Sequence, residues 1–177
     1  MSNSMLEVTE EVYKDNIISI QYDDNPENPR EWDNICIIHI GHKRYCFGDK
    51  NYNDYESIEE ARKEAKNNGD VILPLYMYDH SGITISLTPF SCPWDSGQIG
   101  FVQIPRKKML KEFNKKIFTK KLKEKALEIA KNEVEILDSY ISGNVYGYII
   151  NEYEYSCWGY YSIEDALNEA KTIIDYK

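Results

Sequence analysis

"LPLYMYDHSGITISLTPFSCPWDSGQIG" runs from Leu73 to Gly100. Val71 to Tyr78 is largely apolar and rich in β-forming residues, which predicts a buried strand. Asp79-His80-Ser81-Gly82 is a turn signal, with Gly82 expected at positive φ. Ile83 and Ile85 then alternate with Thr84 and Ser86, so a second strand returns. Thr88 to Gly97 is loop, and Ile99 to Ile104 is a third strand stopped by Pro105. Connections this short favour antiparallel neighbours, because a parallel crossover needs a dozen residues or more. In a simple meander, Asp79 and Asp95 would lie at opposite sheet ends, about one strand length or roughly 17–20 Å apart, but the loop at Ser91 to Gly97 is long enough to fold back, and the two loops are expected to lie side by side.

Residues 1–16 are polar and are expected to be frayed or loosely helical. Ile17 to Tyr22 alternates like a strand. Asp23 to Asn34 reads as an ordered loop with Trp32 turned onto the core. Asn34 to Ile40 and Arg44 to Phe47 suggest a hairpin about Gly41-His42-Lys43. Ser57 to Lys66 predicts a helix with a capping box, Ser57 as N-cap and Glu60 at the third position. Arg106 to Tyr140 is mostly helical, broken near Phe118 with Thr119 as a cap. Val145 to Ile150 and Tyr153 to Tyr161 form a hairpin about Asn151-Glu152, and Ser162 to Asp175 is a final helix.

"SIEEARKEAK" at Ser57 and "SIEDALNEAK" at Ser162 agree at seven of ten positions, each preceded by a Cys-aromatic-Gly. The expectation is one α+β domain over residues 1–177. It has a mainly antiparallel sheet, a long central helical segment and two related β-β-α units at 34–67 and 144–175.

The chain has 177 residues and a net charge of −9. Arg106 to Lys125 carries 10 Lys/Arg against two Glu, a local sum of +8, so the remainder sums to −17. An acidic body repels phosphates and attracts basic proteins. No apolar run has the length of a membrane span. The N-terminal sequence has neither the basic nor the apolar region of a signal peptide, so the expected compartment is the cytoplasm. Cys36, Cys46, Cys92 and Cys157 are then reduced thiols. Cys36, His39, His42 and Cys46 have spacings that invite zinc, but Ile35 to Ile40 reads as a strand, which sends Cys36 and His39 to opposite faces.

The chemistry candidates are Asp79, His80, Ser81, Cys92 and Asp95. Asp79, His80 and Ser81 have the residue types of a triad, yet sequence neighbours diverge from the backbone, and a turn held by Asp79 explains them as well. Cys92 is a candidate nucleophile with His80 as base if the two loops meet. His80, Asp79 and Asp95 make a minimal divalent-metal set without a fourth ligand, and no metal is expected. No P-loop, dinucleotide fingerprint or nucleophile elbow is present, so no cofactor is expected. The basic segment at Arg106 to Lys125 is a candidate nucleic-acid contact, although it has no clustered aromatics.

"NPREWDN" (Asn28 to Asn34), "LPLYMYDHSGITIS" (Leu73 to Ser86), "SCPWDSGQIGF" (Ser91 to Phe101), "GNVYGYII" (Gly143 to Ile150) and "SCWGYY" (Ser156 to Tyr161) resemble a family of small proteins of phages, prophages and plasmids, chiefly of Gram-positive bacteria. The likeness follows the same order through nearly the whole chain and departs at Asp33 to Ser57. It implies an accessory role in a mobile element and carries no catalytic residues with it. Together with the acidic body, it implies a non-enzymatic inhibitor that binds a host protein, such as a nucleic-acid-binding defence protein. Its expected contact residues are Asp23, Asp24, Glu27, Asp49, Asp54 and Glu56. The alternatives are a small hydrolase or metal-dependent enzyme on the loops around Asp79 and Asp95, and a nucleic-acid binder through the basic helix.

Overall fold

The computed structural model describes residues 7–176. The elements in chain order are β1 (Glu7–Tyr13), β2 (Asn16–Tyr22), β3 (Ile37–Ile40), β4 (Lys50–Asn51), α1 (Tyr55–Asn67), β5 (Val71–Asp79), β6 (Ile83–Ser86), β7 (Ser96–Ile104), α2 (Arg106–Glu112), α3 (Lys120–Ile141), β8 (Tyr146–Ile150), β9 (Tyr155–Tyr160) and α4 (Ile163–Asp175). The architecture is α+β with mainly antiparallel sheets, as the sequence predicts. Contacts divide the chain into two compact units. A terminal unit combines Met1–Asn28 with Ser142–Lys177, and a central unit is Pro29–Ile141.

The terminal unit is a four-stranded sheet, β1-β2-β8-β9, with α4 on one face. Ile18 pairs with Ile150 and Ile20 with Tyr148, so these four side chains project to the same face. They are buried against Ala166, Ala170 and Ile174, four residues apart on α4, where alanines allow close helix approach. Ser162 caps α4 by accepting from Asp165 N, and Glu164 and Asp165 suit the positive end of the helix dipole. The described part of the N-terminal segment is a strand, not a frayed or helical stretch; residues 1–6 lie outside the described residues. β1 is an edge strand and needs few apolar residues. Its side chains instead tie to α4 through Glu11–Lys171 (2.7 Å) and Tyr13 Oη donating to Asp175 (3.1 Å).

The central unit is a five-stranded sheet, β4-β3-β7-β5-β6. Leu122, Ala126, Ala130, Val134 and Leu137 form the buried stripe of α3 and pack on Ile38, Ile40, Leu75, Met77, Ile85, Val102 and Ile104. On the alternate face, Phe101 lies beneath the Arg62 guanidinium of α1, 5.1 Å from the ring centre. Thr119 caps α3 through Leu122 N, as predicted. At α2 the N-cap is Pro105, which has no capping side chain, and Asp70 supplies the carboxylate to Arg106 N instead (2.9 Å).

Several expectations are corrected. Arg44 to Phe47 is not a strand. The short β4 that follows pairs parallel with β3, and Ile38 N is taken by the Asp49 carboxylate (2.6 Å). The N-cap of α1 is Asp54, not Ser57; Asp54 accepts from both Ser57 N and Ser57 Oγ (2.8 Å each). Trp32 is 43% exposed and does not plug the core. The residue of "NPREWDN" that reaches inward is Arg30, whose side chain is 6% exposed and is clamped by Asp49 (2.7 Å), Glu133 (3.0 Å) and the Cys36 carbonyl (2.8 Å). The two helices of like sequence stand in different settings. α1 follows the parallel pair β3–β4, with Cys46 in an exposed loop, whereas α4 follows the antiparallel hairpin β8–β9, with Cys157 on a strand.

Candidate functional site

β5 is flanked by β6 on one edge and β7 on the other. Tyr78 pairs with Ser96, and Asp79 N donates to the Asp95 carbonyl at 2.8 Å. Segment 87–95 therefore runs back from the far end of β6 to the C-terminal end of β5. The loop at Ser91 to Gly97 folds back, and the two loops lie side by side as expected, not a strand length apart as in a simple meander. The returning loop is pinned by Ser96 Oγ donating to the Cys92 carbonyl and by Thr88 N donating to Ser86 Oγ (3.0 Å). The Tyr78 ring lies 5.9 Å from the His80 ring and 5.8 Å from the Phe90 ring.

Asp95 is the centre of the cluster. Its Oδ2 is 3.2 Å from His80 Nδ1 and 3.7 Å from Cys92 Sγ. Asp79 belongs to a separate group, accepting from Tyr45 Oη (2.6 Å) with the Arg44 guanidinium at 3.5 Å. Ser81 sits at the turn with φ 58°, and it, not Gly82, takes the left-handed conformation. The structure thus unites His80, Cys92 and Asp95 and leaves Asp79 and Ser81 apart from them. Trp94, at the tip, is 91% exposed.

Nucleophilic catalysis by a thiol needs the imidazole between the thiol and the orienting carboxylate. Here the carboxylate lies between the other two, and the thiol is directed at an acceptor that already holds the imidazole. The His80 side chain is 63% exposed, so water reaches the cluster. A cavity of about 400 Å³ lies between β5–β6 and α3, lined in part by Leu73, Ile85, Leu127 and Val134. A second, of about 200 Å³, lies by Gly41, Ile58 and Arg62. Neither is lined by His80, Cys92 or Asp95. Among the described residues, no three His, Cys, Asp or Glu side chains are grouped to hold a metal ion. Cys36 is buried, and burial followed by the nearby Glu133 carboxylate pushes its thiol far up.

The sequence reading misses a second polar cluster, at His39. This histidine is 5% exposed, with its ring 4.2 Å from that of Phe101. Nδ1 is 2.9 Å from Tyr52 Oη, and Nε2 is 2.8 Å from Gln103 Oε1. Gln103 Nε2 donates to Asp70 (2.7 Å), which turns Oε1 toward the histidine. His39 must then carry its proton on Nε2 and accept from Tyr52 at Nδ1. Burial, the largest influence, lowers its pKa, with Gln103 and Asp49 acting the other way. Strand alternation places residues 39, 101 and 103 on one face, which was the available signal.

The six expected contact carboxylates divide between the units. Asp24 and Glu27 are exposed in the terminal unit, and Asp23 is half-buried, with Oδ1 accepting from Asn25 N (3.0 Å). In the central unit Asp49 clamps Arg30, Asp54 caps α1, and Glu56 is exposed in the first turn of α1. The charge divides as well. Segments Met1–Asn28 and Ser142–Lys177 hold 13 Asp/Glu and 3 Lys/Arg, a sum of −10, while Pro29–Ile141 holds 17 Asp/Glu and 18 Lys/Arg, a sum of +1. Lys14 and Lys171 of the terminal unit are held within it by Asp175 and Glu11, 2.7 Å each.

No helix among the described residues is long and apolar enough to cross a membrane. No protein-family model, no curated protein and no solved structure matches the chain.

Proposed function

We propose that the chain is a non-enzymatic binding protein of a phage or other mobile element, acting in the host cytoplasm. Its acidic terminal unit covers a basic, nucleic-acid-binding surface on a host defence protein. The observation that carries this reading is the segregation of charge, −10 on one compact unit and +1 on the other. A channel that binds phosphates presents Lys and Arg side chains, and a dense acidic surface is complementary to it. The same surface repels nucleic acid itself. The mobile-element and defence elements of the reading rest on the sequence resemblance.

The test is retention of a host protein from lysate by the tagged chain, followed by binding measurements over a range of salt. The reading requires a stoichiometric partner with a basic nucleic-acid site, an affinity that falls with salt, and competition by nucleic acid. A partner bound equally at all salt concentrations, or one without such a site, contradicts it.

A second reading is favoured by one observation, the meeting of His80 and Cys92 at Asp95. A small hydrolase at this place requires His80 to leave Asp95 and take the Cys92 proton. A pH-dependent alkylation of Cys92 that is lost in His80→Ala supports the hydrolase, and alkylation indifferent to His80 contradicts it.

A further inference from the structure

Among the described residues, the sheet edges β1, β4, β6 and β9 are protected to different degrees. β1 carries Glu7, Glu10 and Glu11. β4 is two residues long and includes Lys50. β6 is covered from α3, where Asp138 Oδ1 accepts from Ile85 N (2.7 Å) and Thr84 Oγ1 (2.8 Å). Among the described residues, β9 has none of these devices. Its sequence, YSCWGY, contains no charge and no proline, and Tyr155 to Gly159 are all exposed. An edge without charge, proline or cover is a template for another strand.

The strip has a defined end. Tyr146 pairs with Tyr160 and Gly147 with Trp158, which leaves Gly159 as an extra residue at φ 89°, a bulge. Regular pairing geometry is thus offered up to Trp158. The Trp158 ring lies over Gly147, where a Cβ would come within 2.1 Å of it, and its side chain is held against the sheet while the residue stays 42% exposed.

We propose that the edge of β9, from Ser156 to Trp158, takes up an extended strand from a partner, and that this strand carries Lys or Arg. The proposal rests on the reading of the terminal unit as an acidic binding surface and names how the partner is held. Backbone hydrogen bonds to β9 supply the register. The unit's −10 charge selects a basic strand, and the exposed Trp158 and Tyr153 rings offer faces to its cations. A second copy of the chain brings the same −10 and is repelled.

The test uses the full chain and two labelled peptides of equal charge, KVRVKVRV and KPRPKPRP, the second unable to form a strand because proline removes donors and fixes φ. Binding is read by fluorescence anisotropy, and hydrogen exchange is followed through residues 155–160. The proposal expects the first peptide to bind at least roughly tenfold tighter and to slow exchange in β9. Equal binding of the two peptides without protection of β9 overturns strand addition and leaves the charge reading standing. Failure of both peptides to bind in a salt-dependent way overturns the charge reading and the proposal with it. A dimer of the chain alone that protects β9 overturns the choice of a basic partner.

Discussion

His80 Nδ1 lies 3.2 Å from Asp95 Oδ2, although they are fifteen positions apart in sequence and the intervening chain makes a strand and a long loop. The contact exists because β7 pairs with the edge of β5 opposite β6, which returns residue 95 to the end of β5 where residue 79 lies. The relationship is a product of topology, and the carboxylate that makes it also takes Cys92. Both partners in the contact are more than a third exposed, so its worth is that of a surface interaction. Asp95→Ala is expected to lower stability by about 1 kcal/mol or less and to speed amide exchange over residues 87–96. Urea unfolding checks the first and hydrogen exchange the second; a loss above about 3 kcal/mol would make the cluster part of the core.

Arg30 presents the opposite case. Burial works against its charge, yet the hydrogen bonds it donates to Asp49 and Glu133, together with their negative charges, outweigh burial and its pKa is raised. Glu133 also accepts from Ile35 N (2.8 Å) and Cys36 N (3.2 Å), so the clamp fixes the entry to β3. Arg30→Ala leaves two carboxylates without their cation and is expected to cost about 3–5 kcal/mol in urea unfolding. A cost below about 1 kcal/mol would contradict the clamp.

His39 predicts a pH dependence. Its folded pKa is below the ordinary 6.5 because burial disfavours the cation. The unfolded chain therefore binds the proton that the fold resists, and stability is lost as pH falls below about 6.5. Thermal melts at about pH 7.5 and about pH 5.5 should show a larger drop for the wild type than for His39→Gln, whose amide can replace both ring contacts. Equal drops would contradict a neutral His39, as would a nitrogen NMR signature with the proton on Nδ1.

Gly100 is a position of close approach. A Cβ there would meet the His39 carbonyl oxygen at 1.9 Å, so the backbones of β3 and β7 admit no side chain. Gly100→Ala should separate the two strands and yield little folded protein, as read by circular dichroism and gel filtration. A cooperative melt near that of the wild type would contradict the pairing.

The strands at 71–104 and the helices at 106–141 could be read from sequence because their apolar periods match their elements. β1 could not, since Glu7, Glu10 and Glu11 sit on an edge strand that answers to α4 through ion pairs and not through an apolar face. The supposed strand at Arg44 to Phe47 failed because alternation says nothing of backbone partners, and Asp49 takes the Ile38 N–H. Ser57 opens a Ser-x-x-Glu pattern that suggests a cap, but Asp54, three residues earlier, binds Ser57 itself. At the candidate site, residue types were visible and grouping was not. His80, Cys92 and Asp95 join through strand order, whereas the neighbours Asp79 and Ser81 part through the turn.

The carboxylates expected to meet a partner are not equivalent. Reversing Asp49 or Asp54 removes a clamp or a cap and therefore perturbs the fold. Reversing Asp23, Asp24 and Glu27 perturbs surface charge on the terminal unit. The most direct measurement is the association rate of the retained host protein with the wild type, with the triple variant Asp23→Lys, Asp24→Lys and Glu27→Lys, and with His80→Ala and Cys92→Ala, each shown to be folded by thermal melts. The triple variant should slow association by roughly tenfold, added salt should produce the same slowing in the wild type, and His80→Ala and Cys92→Ala should bind as the wild type does. Loss of activity in folded His80→Ala or Cys92→Ala, with the triple variant unchanged, would contradict it.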